Sequence, residues 1–339
     1  MAKNAALGKA KDAKQDEFYT QLADIENELR HYRPHFKGKT ILCNCDDPYE
    51  SNFFKYFALN FNKLKLKKLI ATCYAGSPIT GTQLSLFGDE TDDERRTPYK
   101  AVVTTVRDMT GEGGIDMLDV AELFRTGENT IEMLEGGGDF RSAECMALLD
   151  EADIVVTNPP FSLIREYITT LIEHEKSFVV IAPQSATKYK ETFPLIRGNK
   201  MWLGYNSGDM AFCVPDDYEP RETRYWQDES GQKWRSMGNI CWITNLDIRK
   251  RHEEMILFRR YRSEDYPSYT NFDGIDVAKA SDIPCDYSGN MGVPITFMNQ
   301  HNPDQFEIVG LGEGDLAKEK CGGRYWCLSH HCRLDVRRG

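Results

Sequence analysis

The chain has 339 residues, 40% of them hydrophobic and 11% aromatic, enough for a real core in one large domain or two of ordinary size. No run of 18 apolar residues exists, so no membrane span is expected, and the lysine-dotted start lacks the apolar stretch of a secretory signal. A net charge of −11 taken alone argues against a nucleic-acid partner, but the charge is clustered: Asp89 to Glu94 holds five acids in six residues, whereas Arg249 to Arg262 is basic.

Residues 1–15 are polar and lysine-rich and are expected to form a flexible basic arm. Phe18, Leu22, Ile25 and Leu29 recur at helical spacing, which predicts a helix over 16–30. Lys39 to Cys45 reads as a strand that ends in the loop Asn44-Cys45-Asp46-Asp47-Pro48. A helix with Phe53, Phe54, Phe57 and Phe61 follows, then a second strand from Leu66 to Tyr74. This alternation predicts an α/β sheet. Residues 75–98, rich in Gly, Pro, Thr and acids, are expected to be an inserted loop, with a strand of the insertion over Ala101 to Val106.

Further on, Gly136 to Gly138 precede Asp139-Phe140, and a short helix is expected over Ala143 to Asp150. A buried strand, Asp153 to Thr157, stops abruptly at Asn158-Pro159-Pro160-Phe161. Neither proline has a donor N–H, so the ladder ends there, and Asn158 is held extended by the proline that follows it. A helix over Leu163 to His174 and a strand over Phe178 to Ala182 complete the pattern. Beyond about residue 200 the texture changes: all five tryptophans lie there, helical periodicity weakens, and a β-rich second unit is expected. The expected division is 16–204 for donor binding and catalysis and 205–339 for target recognition.

Asn158 to Phe161 carries a specific chemistry. An exocyclic amine of a base is a poor nucleophile because its lone pair is delocalised into the ring. Two acceptors on its two N–H bonds favour the tetrahedral, nucleophilic nitrogen. The Asn158 amide oxygen is one acceptor and the Pro159 carbonyl, stiffened by Pro160, is the other. Phe161 offers a face on which a base stacks. The same tetrapeptide serves enzymes acting on RNA bases and on glutamine amides, so it specifies a planar amine rather than DNA. A plain proline-rich turn opening a helix is the alternative.

A methyl donor needs a loop after the first strand. That loop has no glycine here, but Asp46 and Asp47 suit a cationic amino group, with Asn44 beside them. Asp139 can accept from the donor's adenine amine and Phe140 can stack on its ring. Phe18, Tyr19 and Thr20 can close the methionine end. The second strand offers no carboxylate for the ribose, so that partner is unassigned.

At these residues the chain resembles the EcoRI-type adenine-specific DNA methyltransferases. The blocks that carry the resemblance are Asp16 to Gln21, Cys43 to Pro48, Ser51 to Phe57, Gly138 to Ser142, Asp153 to Tyr167 and Asn290 to Phe297. The resemblance implies a Rossmann-like S-adenosylmethionine-dependent methyltransferase sheet with a C-terminal β-rich target-recognition region. It implies site-specific N6-methylation of an adenine flipped out of double-stranded DNA. It places Asn158, Pro159 and Phe161 at the target amine, Asp139 and Phe140 at the donor, and Phe18, Tyr19, Asp46 and Asp47 at the donor's methionine end. The 75–98 insertion departs from the family pattern.

Arg249, Arg259, Arg260 and Arg262, interleaved with Phe258 and Tyr261, are candidates for DNA phosphate contact; a solvated charged face is the alternative. Cys321, Cys327, His330, His331 and Cys332 lack the spacing of a usual zinc ribbon or finger, and Arg324 to Leu328 reads as a strand. No metal is expected, since a sulfonium already carries its charge. Ten scattered cysteines, most of them in apolar stretches, suit free thiols of a reducing compartment, so a cytoplasmic location is expected, and the chain is expected to be a monomer. A cognate restriction endonuclease would be a partner in function rather than in contact. Alternatives to the DNA enzyme are an RNA base methyltransferase and an inactive DNA-binding protein of the same fold.

Overall fold

A computed structural model describes residues 19–45, 51–73, 98–108, 114–115, 117–124, 127–214, 218–269, 273–311 and 325–330. Its centre is a large mixed sheet built on four parallel strands: β2 (Thr40–Asn44), β3 (Lys68–Thr72), β6 (Ile154–Thr157) and β7 (Ser177–Pro183). Every residue of β2 and β6 is buried, because helices cover both faces of such a sheet and leave the strands as unbroken apolar runs. The covering helices are α1 (Leu22–Leu29), α2 (Asn52–Leu59), α3 (Ala143–Glu151) and α4 (Ile164–Glu173). Ser51 caps α2 by accepting from the Phe54 N–H, and Ser142 caps α3 by accepting from Cys145.

The sheet extends both ways. On one side β4 (Tyr99–Val103) and β5 (Thr130–Met133) add antiparallel to β3. On the other, β10 (Lys233–Thr244) lies antiparallel to β7, from Ile240 opposite Pro183 to Thr244 opposite Val179. Then come β8 (Trp202–Cys213) and, at the edge, β1 (Tyr19–Thr20), while β9 (Tyr225–Gln227) pairs with the first residues of β10. Thr244 Oγ1 donates to the Phe178 carbonyl at 2.7 Å, and the Asn245 amide accepts from the Phe178 N–H and donates to the Lys176 carbonyl, each at 2.9 Å.

Three expectations change. The first helix begins at Leu22, because Tyr19 and Thr20 are drawn into pairing with Cys213 and Phe212 of β8. The strand expected over 101–106 is β4, starting at Tyr99 and joined to β3 within the central sheet. The expected division at 204 also shifts: residues 206–246 form one compact unit with 1–186, since β8 and β10 complete the same sheet. Glu28, fully buried on α1, secures this arrangement by accepting from the Tyr32 hydroxyl and from both the backbone N–H and the amide of Asn206. The insertion at 75–98 lies outside the described residues except for Pro98.

The second unit comprises residues 187–205 and 247–339. Its sheet runs β11 (Gly274–Asp276), β12 (Asn290–Pro294), β14 (Tyr325–His330), β13 (Phe306–Leu311). Met291, Val293, Phe297, Phe306 and Ile308 are buried in it, and Phe297 meets Phe306 edge to face at 5.1 Å. Cys327 and His330 lie on β14, whereas Cys321, His331 and Cys332 fall outside the described residues. No described helix is long and apolar enough to cross a membrane.

Candidate active site

Because β2, β6 and β7 run parallel, the loops after Asn44, Thr157 and Pro183 leave from one edge of the sheet, the carboxyl edge where α/β sheets bind ligands. The first two are tied together. The Thr157 hydroxyl donates to the Asn44 carbonyl, and Thr157 is 1% exposed. Asn158 and Pro159 are buried, whereas Pro160 and Phe161 are half-buried at the mouth. The Pro160 carbonyl accepts from the Leu163 N–H at 2.9 Å and closes the turn that starts at Phe161. The diproline loop is therefore pinned at both ends.

The donor loop is equally constrained. Asn44 is buried, and its amide oxygen accepts from the hydroxyl of Tyr167 on α4. Cys45 follows with φ +93°, a conformation that glycine adopts readily and a β-carbon resists. The chain thus makes a sharp turn here without a glycine. Burial pushes the Tyr167 phenol well above its ordinary pKa, so the hydroxyl keeps the proton that it donates to Asn44. The same ring meets Phe140 edge to face at 5.1 Å. Tyr167 therefore braces two of the candidate donor residues at once.

Asp139 and Phe140 are half-buried beside this brace. The Arg141 guanidinium grips both Asp139 oxygens, at 2.8 and 2.5 Å, and also lies 5.3 Å from the Phe140 ring centroid. Arg141 thereby holds the Asp139 carboxyl below the usual carboxylate range. Both side chains are nearly half exposed, so the pair orients more than it stabilises.

At the tetrapeptide itself, Phe161 meets Phe212 edge to face at 6.5 Å. Phe212 is fully buried and sits opposite Thr20 in the β1–β8 pairing. The Thr20 carbonyl in turn accepts from the Asn52 amide at 2.8 Å. Tyr19 and Thr20 are thus brought to the same flank as Phe161. Phe18, Asp46 and Asp47 lie outside the described residues.

Sequence reasoning missed three residues here. Tyr167 lies inside a quoted block, and its signal was a polar ring on the apolar face of a helix. Phe212 gave no local signal at all. Gln184, buried directly after β7, is a third polar group at the carboxyl edge.

The candidate arginines belong to the second unit and differ from one another. Arg259 pairs with Asp282 at 3.4 Å and Arg262 with Asp265 at 2.8 Å. Arg249 and Arg260 are exposed and have no hydrogen-bond or ion-pair partner among the described residues.

Known proteins place the chain. Residues 6–330 match the family described as adenine-specific methyltransferase EcoRI. The chain is 44% identical over 330 residues to the type II methyltransferase M.EcoRI of Escherichia coli, covering 94% of each. It is 36% identical to the type II methyltransferase M.MgeORF184P of Mycoplasma genitalium, over 89% of this chain and 85% of that one. It is 35% identical to M.MpnI of Mycoplasma pneumoniae, over 89% and 84%. No solved structure matches the chain. The mixed sheet, the loops at its carboxyl edge and these relatives define a methyltransferase. More narrowly, the chain belongs to the EcoRI family of adenine-specific methyltransferases.

Proposed function

We propose that the chain is a site-specific DNA adenine N6-methyltransferase that transfers a methyl group directly from S-adenosylmethionine to an adenine flipped out of duplex DNA. The observation that carries this function is the placement of Asn158 to Phe161: buried amide, stiff diproline and half-open ring at the end of a central strand, tied to the loop after β2. The strand order supports a Rossmann-like methyltransferase sheet, with antiparallel β10 lying between β7 and β8.

The residues present suit the donor. Cys45 turns the chain sharply after β2, Tyr167 fixes the Asn44 amide, and Asp139 and Phe140 offer a half-buried carboxylate and ring. S-adenosylmethionine, when bound, supplies a methyl group on a sulfonium that needs no further activation. Asn44 and Phe140 hold the donor, and Asp139 accepts from its adenine amine. Tyr19 and Thr20, with Phe18, Asp46 and Asp47, close its methionine end.

At the target, the Asn158 amide oxygen and the Pro159 carbonyl accept the two N–H bonds of the adenine amine and draw its nitrogen toward the tetrahedral, nucleophilic form. Phe161 stacks on the extruded base and offsets part of the cost of unstacking it. The surplus proton leaves readily once the nitrogen carries the methyl group. The unit built on the central sheet supplies donor and chemistry, and the second unit, with Arg249, Arg259, Arg260 and Arg262, supplies target recognition. The test is transfer of labelled methyl from S-adenosylmethionine to plasmid DNA by wild type and by Asn158→Ala. Wild type should label adenine N6, and the variant should lose on the order of 10²–10³ in rate with the donor still bound. Near wild-type turnover in the variant would remove Asn158 from the reaction.

A further inference from the structure

Within residues 253–262 the backbone is held at Glu253, Met255, Arg259 and Tyr261. Asn302 donates to the Glu253 carbonyl at 3.3 Å. Gln305 grips Met255 from both sides, accepting from its N–H and donating to its carbonyl, each at 2.8 Å. The Arg259 carbonyl accepts from the Cys285 N–H at 2.8 Å, and the Tyr261 N–H donates to the Asp286 carboxylate at 2.7 Å. The Tyr261 ring packs on Tyr287 at 4.7 Å and on Tyr266 at 5.8 Å. With the backbone held at these residues, Glu254, Ile256, Phe258, Arg260 and Arg262 lie exposed, as do Glu253 and Arg259.

Two of these are large and apolar, yet Ile256 is 74% exposed and Phe258 83% exposed. No other large apolar side chain among the described residues is more than 55% exposed. Their neighbour Arg260 has no partner among the described residues, and Arg249 is likewise exposed and unpartnered. Two exposed apolar side chains on a firmly held backbone, next to the uncommitted guanidinium of Arg260, suit a polyanion that also offers flat apolar faces. Duplex DNA is such a ligand: phosphates take the arginines, and a base step takes the ring. A protein-docking surface needs a broader apolar patch than two side chains provide.

We propose that Phe258, flanked by Ile256, is a wedge that inserts between base pairs of duplex DNA, with Arg260 seated on an adjacent phosphate. The wedge presupposes that the chain acts on duplex DNA, as proposed above. A ring inserted at a step unstacks it and unwinds or kinks the duplex there, and it anchors the protein by stacking.

The probe is closed circular plasmid relaxed by a topoisomerase in the presence of wild type, Phe258→Ala, Phe258→Leu or Arg260→Ala. Binding to the same plasmid, linearised, is measured in parallel. Phe258→Ala should fold with unchanged thermal stability, since the ring is exposed. It should bind roughly 5- to 150-fold more weakly, the range expected for loss of one stacked ring. At saturation it should also unwind the plasmid less per bound molecule, and Phe258→Leu should restore most of both. Arg260→Ala should weaken binding without reducing unwinding at saturation. Weaker binding by Phe258→Ala with unchanged unwinding would mean contact without insertion and would overturn the wedge, as would wild-type behaviour in both measurements. Methyl transfer to the plasmid by wild type is scored separately: its absence would overturn the DNA substrate itself, whereas transfer with an inert Phe258 would overturn only the wedge.

Discussion

The carboxyl edge and the 253–262 segment use opposite strategies to prepare polar and aromatic groups. At the edge, side chains hold other functional groups: Tyr167 holds Asn44 and abuts Phe140, Thr157 holds the Asn44 carbonyl, and Phe212 abuts Phe161. In the segment, partners hold the backbone and several side chains are left to solvent. A site for chemistry profits from groups fixed before the reactants arrive, because nothing need reorganise during reaction. A surface that meets a long, deformable ligand needs only its spacing fixed. Truncation at the edge should accordingly cost rate or the hold on donor and extruded base, and truncation in the segment should cost affinity for the duplex.

The largest effect expected is that of Asn158→Ala on transfer. Phe161→Ala comes next. Losing a stacking partner costs roughly 1–3 kcal/mol per base, so capture of the extruded adenine should fall about 5- to 150-fold. A 2-aminopurine placed at the methylated position reports extrusion directly. The same fluorescence rise in wild type and variant would make Phe161 a packing residue of Phe212. Tyr167→Phe is smaller and more selective. It deletes one buried hydrogen bond to Asn44 and keeps the ring against Phe140, so donor binding should weaken by about 3- to 10-fold. As a positioning residue, Tyr167 should raise the KM for S-adenosylmethionine and leave kcat nearly unchanged. An equal fall in kcat would mean that the brace supports the target side as well. Acidity should add little to these effects near neutral pH. The Asp139 carboxyl titrates below its ordinary value when folded, so its pairing with Arg141 is present above that value and is lost only as the pH falls through the lower, folded one.

Asn158 to Phe161 was legible in the sequence because its constraint is local: two prolines after an apolar strand dictate a stiff loop whatever surrounds them. The four parallel strands were legible for a similar reason, being short unbroken apolar runs. The partners of the site were not. Phe212 reaches Phe161 only because β8 lies next to β10, and a β-strand with Gly204, Gly208 and Asp209 gives no periodic signal of the face it buries. The same weakness hid the membership of β8 and β10 in the central sheet and placed the expected boundary at 204. Tyr167 could have been singled out, since α4 buries Ile164, Ile168 and Leu171 and the tyrosine falls on that stripe. What its hydroxyl touched required the tertiary structure.

The arginines of the second unit give the smallest effects and the sharpest test of the comparison. In the sequence Arg259, Arg260 and Arg262 look equivalent, but the structure commits Arg259 to Asp282 and Arg262 to Asp265. A guanidinium that neutralises a phosphate releases a counterion, so its loss should lower the salt slope of DNA binding by about one unit. Arg260→Ala should show that change. Arg259→Ala and Arg262→Ala should each show less, because each guanidinium must first leave a carboxylate. Asp282→Asn separates a committed cation from an absent one. If Arg259 faces phosphate, freeing it should strengthen binding at low salt and steepen the slope, and the gain should vanish in the Asp282→Asn, Arg259→Ala double variant. Equal slopes in all of these proteins would make the run a solvated face. Affinity for DNA would then have to come from cations elsewhere, and of the exposed residues only the apolar pair, Ile256 and Phe258, would still distinguish the segment from ordinary surface.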